Sequence, residues 1–259
     1  MDSRSLNRLQ GKVALLTGAG GGIGKATASL FGQEGATVIV SDVSPERTEE
    51  AVAAVKAAGG SVVGIPANVT NEASVKKLFE NVVNQFGRVD VVMNCAGIMP
   101  ILTIPETSEE IWDKVIDINL KGTYLCCKFA VIEMRKSGGG SIINIASGAG
   151  LNGVPGLAAY CASKGGVVLL TKAMALDHAR EHIRINCLAP GVIDTELNRS
   201  WINKTADPEK AVRDLEAGIP IGRMADPMEV AYCALFLATS ESSYVTGHPL
   251  IVDGGLTAD

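Results

Sequence analysis

The chain has 259 residues, of which 47% are hydrophobic and 20% are charged. This length and balance exclude a disordered polypeptide and are sufficient to bury a large core. The formal net charge of -5 excludes a protein that binds the phosphate backbone of nucleic acids, because such proteins need a densely basic surface.

The sequence contains no pattern for export or membrane insertion. Residues 1–10 are polar and lack the apolar centre of a secretory signal, and no later apolar run reaches membrane-spanning length. We therefore expect a soluble cytoplasmic protein without a membrane partner. The six cysteines show no C-x-x-C spacing and are interpreted as buried free thiols. His178 and His182 have the spacing of a zinc-binding pair, but the pair alone does not make a site, so we expect no metal.

Short apolar runs alternate with helical patterns along the chain. The first run, Val13–Thr17, leads into a glycine cluster and a helix that begins near Gly22. The same reasoning predicts further strands at residues 37–40, 62–65, 89–93, 141–145, 183–188 and 250–252. It predicts further helices at residues 46–58, 72–86, 109–136, 158–179 and 227–237.

The predicted strands are continuous apolar runs, which is typical of parallel sheets covered by helices on both faces. Right-handed crossovers then give an α/β fold, a Rossmann-type doubly wound sheet of about seven parallel strands, which we assign to one domain over residues 1–259. Residues 194–218 are polar, weakly periodic and include Trp201. We interpret this 194–218 segment as a candidate lid over a substrate, or alternatively as a plain surface loop.

The sequence TGAGGGIG at residues 17–24 lies where the first strand becomes the first helix. Glycines allow close approach of a ligand to the backbone, and the helix that follows presents free N–H groups to a diphosphate. We assign Gly18, Gly22, Ile23 and Gly24 to a dinucleotide site.

Asp42 stands at the end of the second predicted strand, where a carboxylate can accept both hydroxyls of the adenosine ribose. The same charge repels a 2′-phosphate, and no arginine follows directly to pair with one. The sequence therefore predicts NAD in preference to NADP. A turn cap before Pro45 is the alternative interpretation of Asp42.

Tyr160 and Lys164 are one helical turn apart, so their side chains lie on the same face. An ammonium beside a phenol favours the phenolate, and we expect Lys164 to lower the pKa of Tyr160 from about 10 toward working pH. Ser147 follows the fifth predicted strand, close to that helix, where its hydroxyl can orient a carbonyl or alcohol oxygen.

Taken together, the motifs T-G-x-x-x-G-x-G at 17–24, N-C-A-G at 94–97, Asn119, Ser147 and Y-x-x-x-K at 160–164 resemble those of the short-chain dehydrogenase/reductase family. The resemblance runs from about residue 9 to residue 255. It implies that Tyr160 exchanges a proton, that Ser147 positions the substrate oxygen, that Lys164 binds the nicotinamide ribose, and that Asn119 holds a water in the proton relay.

The resemblance also implies further cofactor contacts. Asn68 and Val69 would lie at the adenine, and residues 94–97 would support the cofactor and the central sheet. Ile193 and Thr195, after Pro190-Gly191, would contact the nicotinamide carboxamide. The cofactor residues implied in these segments are Asn68, Val69, Asn94, Ala96, Gly97, Pro190, Gly191, Ile193 and Thr195. Asn68 and Cys95 depart from the more frequent Asp and Asn, and we expect altered cofactor affinity at most.

The candidate substrate contacts are mostly apolar, which favours a hydrophobic or cyclic secondary alcohol or ketone over a sugar. A 3-oxoacyl-carrier-protein reductase ranks second, because the 194–218 segment contains several basic residues, and a non-catalytic nucleotide-sensing scaffold is the alternative of another class. The resemblance further implies a homotetramer packed through the helices that begin at Glu109 and Ala158. The expected substrate residues are Ile98, Met99, Ser147, Leu151, Asn152, Leu157, Val192, Leu197 and Trp201.

Overall fold

The structure, a computed structural model, describes residues 7–258. The expected polar N-terminal segment lies partly outside this range, at residues 1–6, and the predicted domain limits at residues 1 and 259 lie outside it as well. Across residues 7–258, no helix is both long enough and apolar enough to cross a membrane.

Seven parallel strands form one sheet in the described chain, as the sequence predicts. Their order, β3-β2-β1-β4-β5-β6-β7, places β1 and β4 at the centre, where the direction of winding reverses. Their bounds are β1 Val13–Thr17, β2 Thr37–Ser41, β3 Ser61–Gly64, β4 Val91–Asn94, β5 Gly140–Ile145, β6 Ile183–Pro190 and β7 Pro249–Val252.

Helices cover both faces of the sheet and begin and end at ordinary capping residues. For example, the Asn71 side chain accepts a hydrogen bond from Ser74 N at 2.9 Å where α3 starts, and Gly87 ends that helix at φ 77°. The bounds within residues 7–258 are α1 Gly22–Gln33, α2 Pro45–Ala57, α3 Glu72–Phe86, α4 Glu109–Ile116, α5 Gly122–Ser137, α6 Ala158–His178, α7 Glu196–Ile202, α8 Pro208–Ala217 and α9 Pro227–Ala238.

Two buried clusters hold these helices to the sheet. Phe31 of α1 packs in one cluster with the buried face of α9, and Phe79 of α3 packs in the other with Met134 of α5. Each large apolar side chain that is fully buried contributes about 1.5–3 kcal/mol. The central strands are buried on both faces, so the carboxyl ends of the strands are where the sheet can reach a ligand.

Two segments differ from the prediction. Residues 109–136 were expected to form one helix, but a π-helical turn at Asp117–Lys121 separates α4 from α5. The 194–218 segment, for which the sequence predicted no helix, contains α7 and α8. The α8 helix is started by Asp207, whose side chain accepts from Lys210 N at 2.9 Å, and by Pro208 at the first helical position.

The surroundings of the cysteines, and of His178 and His182, indicate structural roles for these residues. All six cysteines are free; Cys126, Cys127 and Cys187 are buried and the other three are half-buried. His178 Nδ1 lies 3.2 Å from Glu181 Oε2, and His182 ends the following turn with a positive φ of 57°. No group of side chains within residues 7–258 has an arrangement that could hold a metal ion.

Candidate active site

A cleft of about 1400 Å³ runs along the carboxyl edge of the sheet. Its wall contains the residues that directly follow five strands, because parallel strands all end at this edge. These residues are Gly18 after β1, Asp42 after β2, Cys95 after β4, Ala146 after β5 and Gly191 after β6.

The glycine-rich turn forms the floor of one end of this cleft. Gly18 has φ +62°, and a Cβ there would overlap the backbone of Ala96. A Cβ on Gly24 would lie 2.7 Å from Ala19 Cα, so α1 packs directly on the turn. No side chain caps the start of α1, which leaves its first N–H groups free to bind an anion. This cradle fits the diphosphate of a dinucleotide.

Asp42 combines the two roles that the sequence left open. Its Oδ2 accepts a hydrogen bond from Gly20 N at 3.1 Å, and its Oδ1 accepts one from Ser44 N at 3.2 Å. The carboxylate thus ties the glycine-rich turn to the loop before α2. Each oxygen keeps a lone pair for a further donor, and Asp42 lines the cleft, so it can also accept ribose hydroxyls.

Sequence reasoning missed Arg47, a cation at this end of the cleft. Arg47 lies five positions after Asp42, in the first turn of α2. Its Nη2 donates to Glu196 Oε2 of α7 at 3.0 Å. The helix that starts at Pro45 was a sign that Arg47 could turn back toward the cleft. Its partner Glu196 lies 149 positions away, however, and no local sequence pattern predicts their contact.

The three residues predicted to carry the chemistry meet in the middle of the cleft wall. Ser147, Tyr160 and Lys164 all line the cleft. Lys164 Nζ lies 5.7 Å from the centroid of the Tyr160 ring and donates to the Ile145 carbonyl oxygen at 2.6 Å. The spacing of one helical turn therefore places both side chains on the same side of α6.

Burial favours the neutral form of both Tyr160 and Lys164. It raises the pKa of Tyr160 to about 12, against the lowering effect of a hydrogen bond with Ser147. It lowers the pKa of Lys164 to about 8. The expectation that Lys164 brings the pKa of Tyr160 down toward working pH is therefore wrong for the protein without ligand. Removal from water disfavours the phenolate of Tyr160 and the ammonium of Lys164 alike, and it is the largest cause of both pKa shifts.

Asn119 lies one layer behind the cleft wall, in the π-helical turn, and is fully buried. Its Oδ1 accepts from Ile98 N at 2.9 Å. Its Nδ2 donates to the Ile98 carbonyl oxygen and to Ser163 Oγ, both at 3.0 Å. Asn119 therefore links the loop after β4 to α6, the helix that bears Tyr160.

A buried chain of polar side chains connects the same elements more deeply. Asn94 Nδ2 at the end of β4 donates to Asn144 Oδ1 of β5 at 2.9 Å and also contacts Cys127 Sγ of α5 at 3.3 Å. Asn144 Nδ2 in turn donates to Thr171 Oγ1 of α6 at 2.9 Å. We call these four residues the polar relay; they fix α5 and α6 to the central strands.

Most of the predicted cofactor residues line the cleft. Two do not: Gly24 is packed beneath the turn, and Asn94 belongs to the polar relay. Asn68 lines the cleft, while its Oδ1 accepts from the backbone and hydroxyl of Thr70 at 3.0 and 2.9 Å. The predicted cofactor residues that line the cleft are Gly18, Gly22, Ile23, Asp42, Asn68, Val69, Ala96, Gly97, Tyr160, Lys164, Pro190, Gly191, Ile193 and Thr195.

The predicted substrate residues separate into two groups. Ile98, Met99 and Leu197 line the cleft together with Ser147. The other five, Leu151, Asn152, Leu157, Val192 and Trp201, are not part of the cleft lining in this structure; Leu151 and Asn152 lie in an exposed stretch, and Trp201 Nε1 donates to Asn198 Oδ1 at 3.4 Å. Loop residues of this kind are placed by tertiary packing, so adjacency in sequence did not predict them.

One further set of cleft residues was not predicted. Residues at the start of α4 and in the π-helical turn form an acidic rim at the cleft mouth. They are distant in sequence from the motifs that predicted the site, so sequence reasoning did not place them in the cleft. We define the acidic rim as Glu109, Glu110, Asp113 and Asp117; Lys114 also lines the cleft there, and Lys121 pairs with Asp117 at 3.1 Å.

Comparisons with known proteins agree with this geometry. The family model described as enoyl-(acyl carrier protein) reductase matches residues 18–257. The 3-oxoacyl-(acyl-carrier-protein) reductase FabG of Thermotoga maritima is 45% identical over 249 residues, 96% of this chain and 99% of that relative. The cyclopentanol dehydrogenase of Comamonas sp. is 39% identical over 254 residues, 98% of this chain and 100% of the relative.

A solved structure shows the same likeness in three dimensions. The crystal structure of levodione reductase matches with a TM-score of 0.94 and 35% sequence identity, over 97% of this chain and 99% of that one. Both sequence and fold are thus shared over nearly the full length of these enzymes. The chain therefore belongs to the short-chain dehydrogenase/reductase family of oxidoreductases.

Proposed function

We propose that the protein transfers a hydride between NAD(H) and a hydrophobic or cyclic secondary alcohol or ketone. The observation that carries the proposal is the meeting of Ser147, Tyr160 and Lys164 in one cleft wall, beside a glycine-rich turn that fits a diphosphate. A proton-exchanging phenol next to a dinucleotide site is the equipment that this reaction needs.

The chemistry of each residue follows from its surroundings. A bound nicotinamide supplies or accepts the hydride and, when oxidised, adds a positive charge to the cleft. Ser147 orients the substrate oxygen. In reduction, the neutral phenol of Tyr160 donates the proton, which suits a group whose pKa burial raises to about 12. In oxidation, Tyr160 must lose its proton first, and positive charge in the cleft favours that loss.

We extend the proposal to Asn119 as the residue that holds a water in the proton relay. Its Oδ1 accepts one hydrogen bond, from Ile98 N, and so keeps a lone pair. The proposed relay then passes from Tyr160 through Lys164 toward this water. Lys164 is suited to such a step because its lowered pKa, about 8, lets it exchange a proton near working pH.

The Tyr160→Phe variant tests the mechanism. It removes the transferable proton with little change in volume, and we expect turnover to fall by at least about 100-fold, the usual contribution of a general acid or base. The measurement is the absorbance of reduced cofactor at saturating substrate. The Tyr244→Phe variant is the control, since Tyr244 is fully exposed and does not line the cleft. Near-normal turnover of Tyr160→Phe would contradict the mechanism.

The preference for NAD over NADP rests on Asp42. Its carboxylate lines the cleft at the end of β2, where it can accept ribose hydroxyls and repels a 2′-phosphate. We expect Asp42→Ala to reduce the ratio of kcat/KM for NAD to that for NADP by about tenfold or more. Equal kcat/KM values for the two cofactors in the unmodified enzyme would contradict the assignment.

The lining of the cleft favours an uncharged, apolar substrate. Ile98, Met99 and Leu197 offer apolar contacts, and the excess of negative charge on the acidic rim, which Lys114 and Lys121 only partly offset, disfavours an anionic group. Three of the basic residues in the 194–218 segment already contact a carboxylate of the same segment, so a carrier-protein phosphate would have to compete for them. Arg199 pairs with Asp194 at 2.6 Å, Lys210 with Asp214 at 2.5 Å, and Arg213 with Glu209 at 3.8 Å.

A 3-oxoacyl-carrier-protein reductase is the second candidate, and the 45% identity to a reductase of that name favours it. A panel run with both cofactors in both directions separates the two proposals. We expect cyclic secondary alcohols such as cyclopentanol to give a higher kcat/KM than the reduction of a 3-oxoacyl thioester. The reverse order would assign the second function, and cofactor binding without any turnover would indicate a nucleotide-sensing scaffold.

We also propose that the protein is a homotetramer and that each chain forms a single domain, as the sequence suggested. Leu169 and Leu176 of α6 are 66% and 84% exposed, which supports a homotetramer packed through α6 and through the helix expected to begin at Glu109, which the structure divides into α4 and α5. The 194–218 segment would act as a lid within a single domain of residues 1–259, since Leu197 of α7 lines the cleft. A cytoplasmic location completes the proposal.

A further inference from the structure

Arg47 and Glu196 join the two sides of the cleft at its nucleotide end. Arg47 belongs to α2 and Glu196 to α7, and both line the cleft. Their contact, Arg47 Nη2 to Glu196 Oε2 at 3.0 Å, is the hydrogen bond by which the 194–218 segment reaches across to α2.

Two glycines make room for Arg47. A Cβ on Gly20 would lie 2.7 Å from Arg47 Cβ, and a Cβ on Gly21 would overlap Arg47 Nη2. The next residue, Gly22, begins α1, whose first N–H groups have no side-chain cap. The guanidinium therefore lies beside the helix start that fits a diphosphate, and a phosphate bound there would come within its reach.

We propose that Arg47 binds the diphosphate of the dinucleotide, and that Glu196 occupies the guanidinium in the free protein until the diphosphate replaces it. This inference rests on the proposed function, because it assumes that a dinucleotide binds in this cleft. The exchange releases α7 from α2. Cofactor binding would thereby free α7, the helix whose Leu197 also lines the cleft.

The strengths of the two ion pairs favour the exchange. Arg47 and Glu196 side chains are 47% and 76% exposed and share a single close contact, and such surface pairs contribute little. A diphosphate offers two negative charges and several acceptor oxygens, and arginine binds such groups through two parallel hydrogen bonds. The carboxylate is therefore a weak partner that a diphosphate can displace.

The test measures equilibrium binding of NADH and NADPH by calorimetry, with no turnover required. We expect Arg47→Gln to raise the Kd of both cofactors by about tenfold, the value of a lost charge-assisted hydrogen bond. Glu196→Gln should lower both Kd values severalfold, because a competitor for Arg47 is removed. In the double variant, the effect of Glu196→Gln should disappear. Glu209→Gln, which removes an exposed partner of Arg213 on α8, is the matched control and should change neither Kd.

The outcomes distinguish this inference from the function on which it rests. Failure of the unmodified protein to bind either cofactor would overturn the proposed function and this inference together. Normal binding that Arg47→Gln does not weaken would overturn this inference alone. If Arg47→Gln raised the Kd of NADPH only, Arg47 would be assigned to the 2′-phosphate. If Glu196→Gln raised the Kd values, Glu196 would be a cofactor ligand. Either result overturns the exchange.

Discussion

The Lys164→Met variant should be more stable than the unmodified protein and inactive. Lys164 is 3% exposed, and burial lowers its pKa from 10.5 to about 8. The difference of 10.5 minus about 8, at about 1.4 kcal/mol per pKa unit, corresponds to about 3 kcal/mol of lost hydration of the ammonium. Methionine also leaves the Ile145 carbonyl oxygen without its donor, at a cost of about 1–2 kcal/mol. The expected net gain at pH 7 is about 1–2 kcal/mol.

The sign of the pH dependence follows from the lowered pKa of Lys164. Between pH 8 and pH 10.5 the unfolded chain keeps a proton that the folded protein has lost, so the free energy of unfolding of the unmodified protein rises with pH. The methionine side chain of the variant does not titrate, and all other groups are common to both proteins. The stability difference should therefore fall by about 2–3 kcal/mol from pH 7 to pH 10.5, so the variant becomes slightly less stable than the unmodified protein at the upper end.

Urea unfolding at a fixed protein concentration, repeated across this pH range, measures the advantage. The Lys77→Met variant is the control: Lys77 is exposed on α3, so we expect changes below about 0.5 kcal/mol at every pH. The reasoning is refuted if Lys164→Met is no more stable at pH 7, or if its advantage stays constant as the pH rises.

Three further predictions follow from the fold and the site. Because burial raises the pKa of Tyr160 to about 12, the ultraviolet difference between the unmodified protein and Tyr160→Phe should show no phenolate up to pH 10 without cofactor; a phenolate near pH 8 would contradict this. Asp226→Ala removes the cap of α9, where the carboxylate accepts from Met228 N at 2.7 Å, and should cost about 1 kcal/mol in urea unfolding, whereas an unchanged midpoint would count against it. Placing glutamate at both Leu169 and Leu176 should reduce the assembly seen by sedimentation below a tetramer; an unchanged sedimentation coefficient would argue against packing through α6.

The sequence predicted the sheet because its signals are local. The apolar run Val13–Thr17 and the glycines after it identify a strand and a turn without reference to the rest of the chain. The pairing of Tyr160 with Lys164 is equally local, since one helical turn fixes their common face. The start of α8 was also readable, because Asp207 followed by Pro208 is a typical helix start, and the polar composition of the 194–218 segment obscured it.

What the sequence did not predict depends on the environment that distant segments create. The direction of the pKa shift of Tyr160 is set by burial beneath several elements, whereas the neighbouring ammonium is visible in the sequence. The contact of Arg47 with Glu196 joins residues 149 positions apart. The division of the expected substrate residues into those that line the cleft and those that do not depends on how each loop packs, which periodicity does not encode.

The polar relay has a consequence for how this enzyme can accommodate ligands. Asn94, Cys127, Asn144 and Thr171 link two strands to α5 and to α6, the helix that bears Tyr160, so a shift of α6 would disturb buried hydrogen bonds. The 194–218 segment, by contrast, reaches across to α2 through the exposed pair of Arg47 with Glu196, so adaptation to molecules of different size is easier there. Selection for new substrates can alter the 194–218 segment residue by residue while α6 and the strands beneath it stay in place.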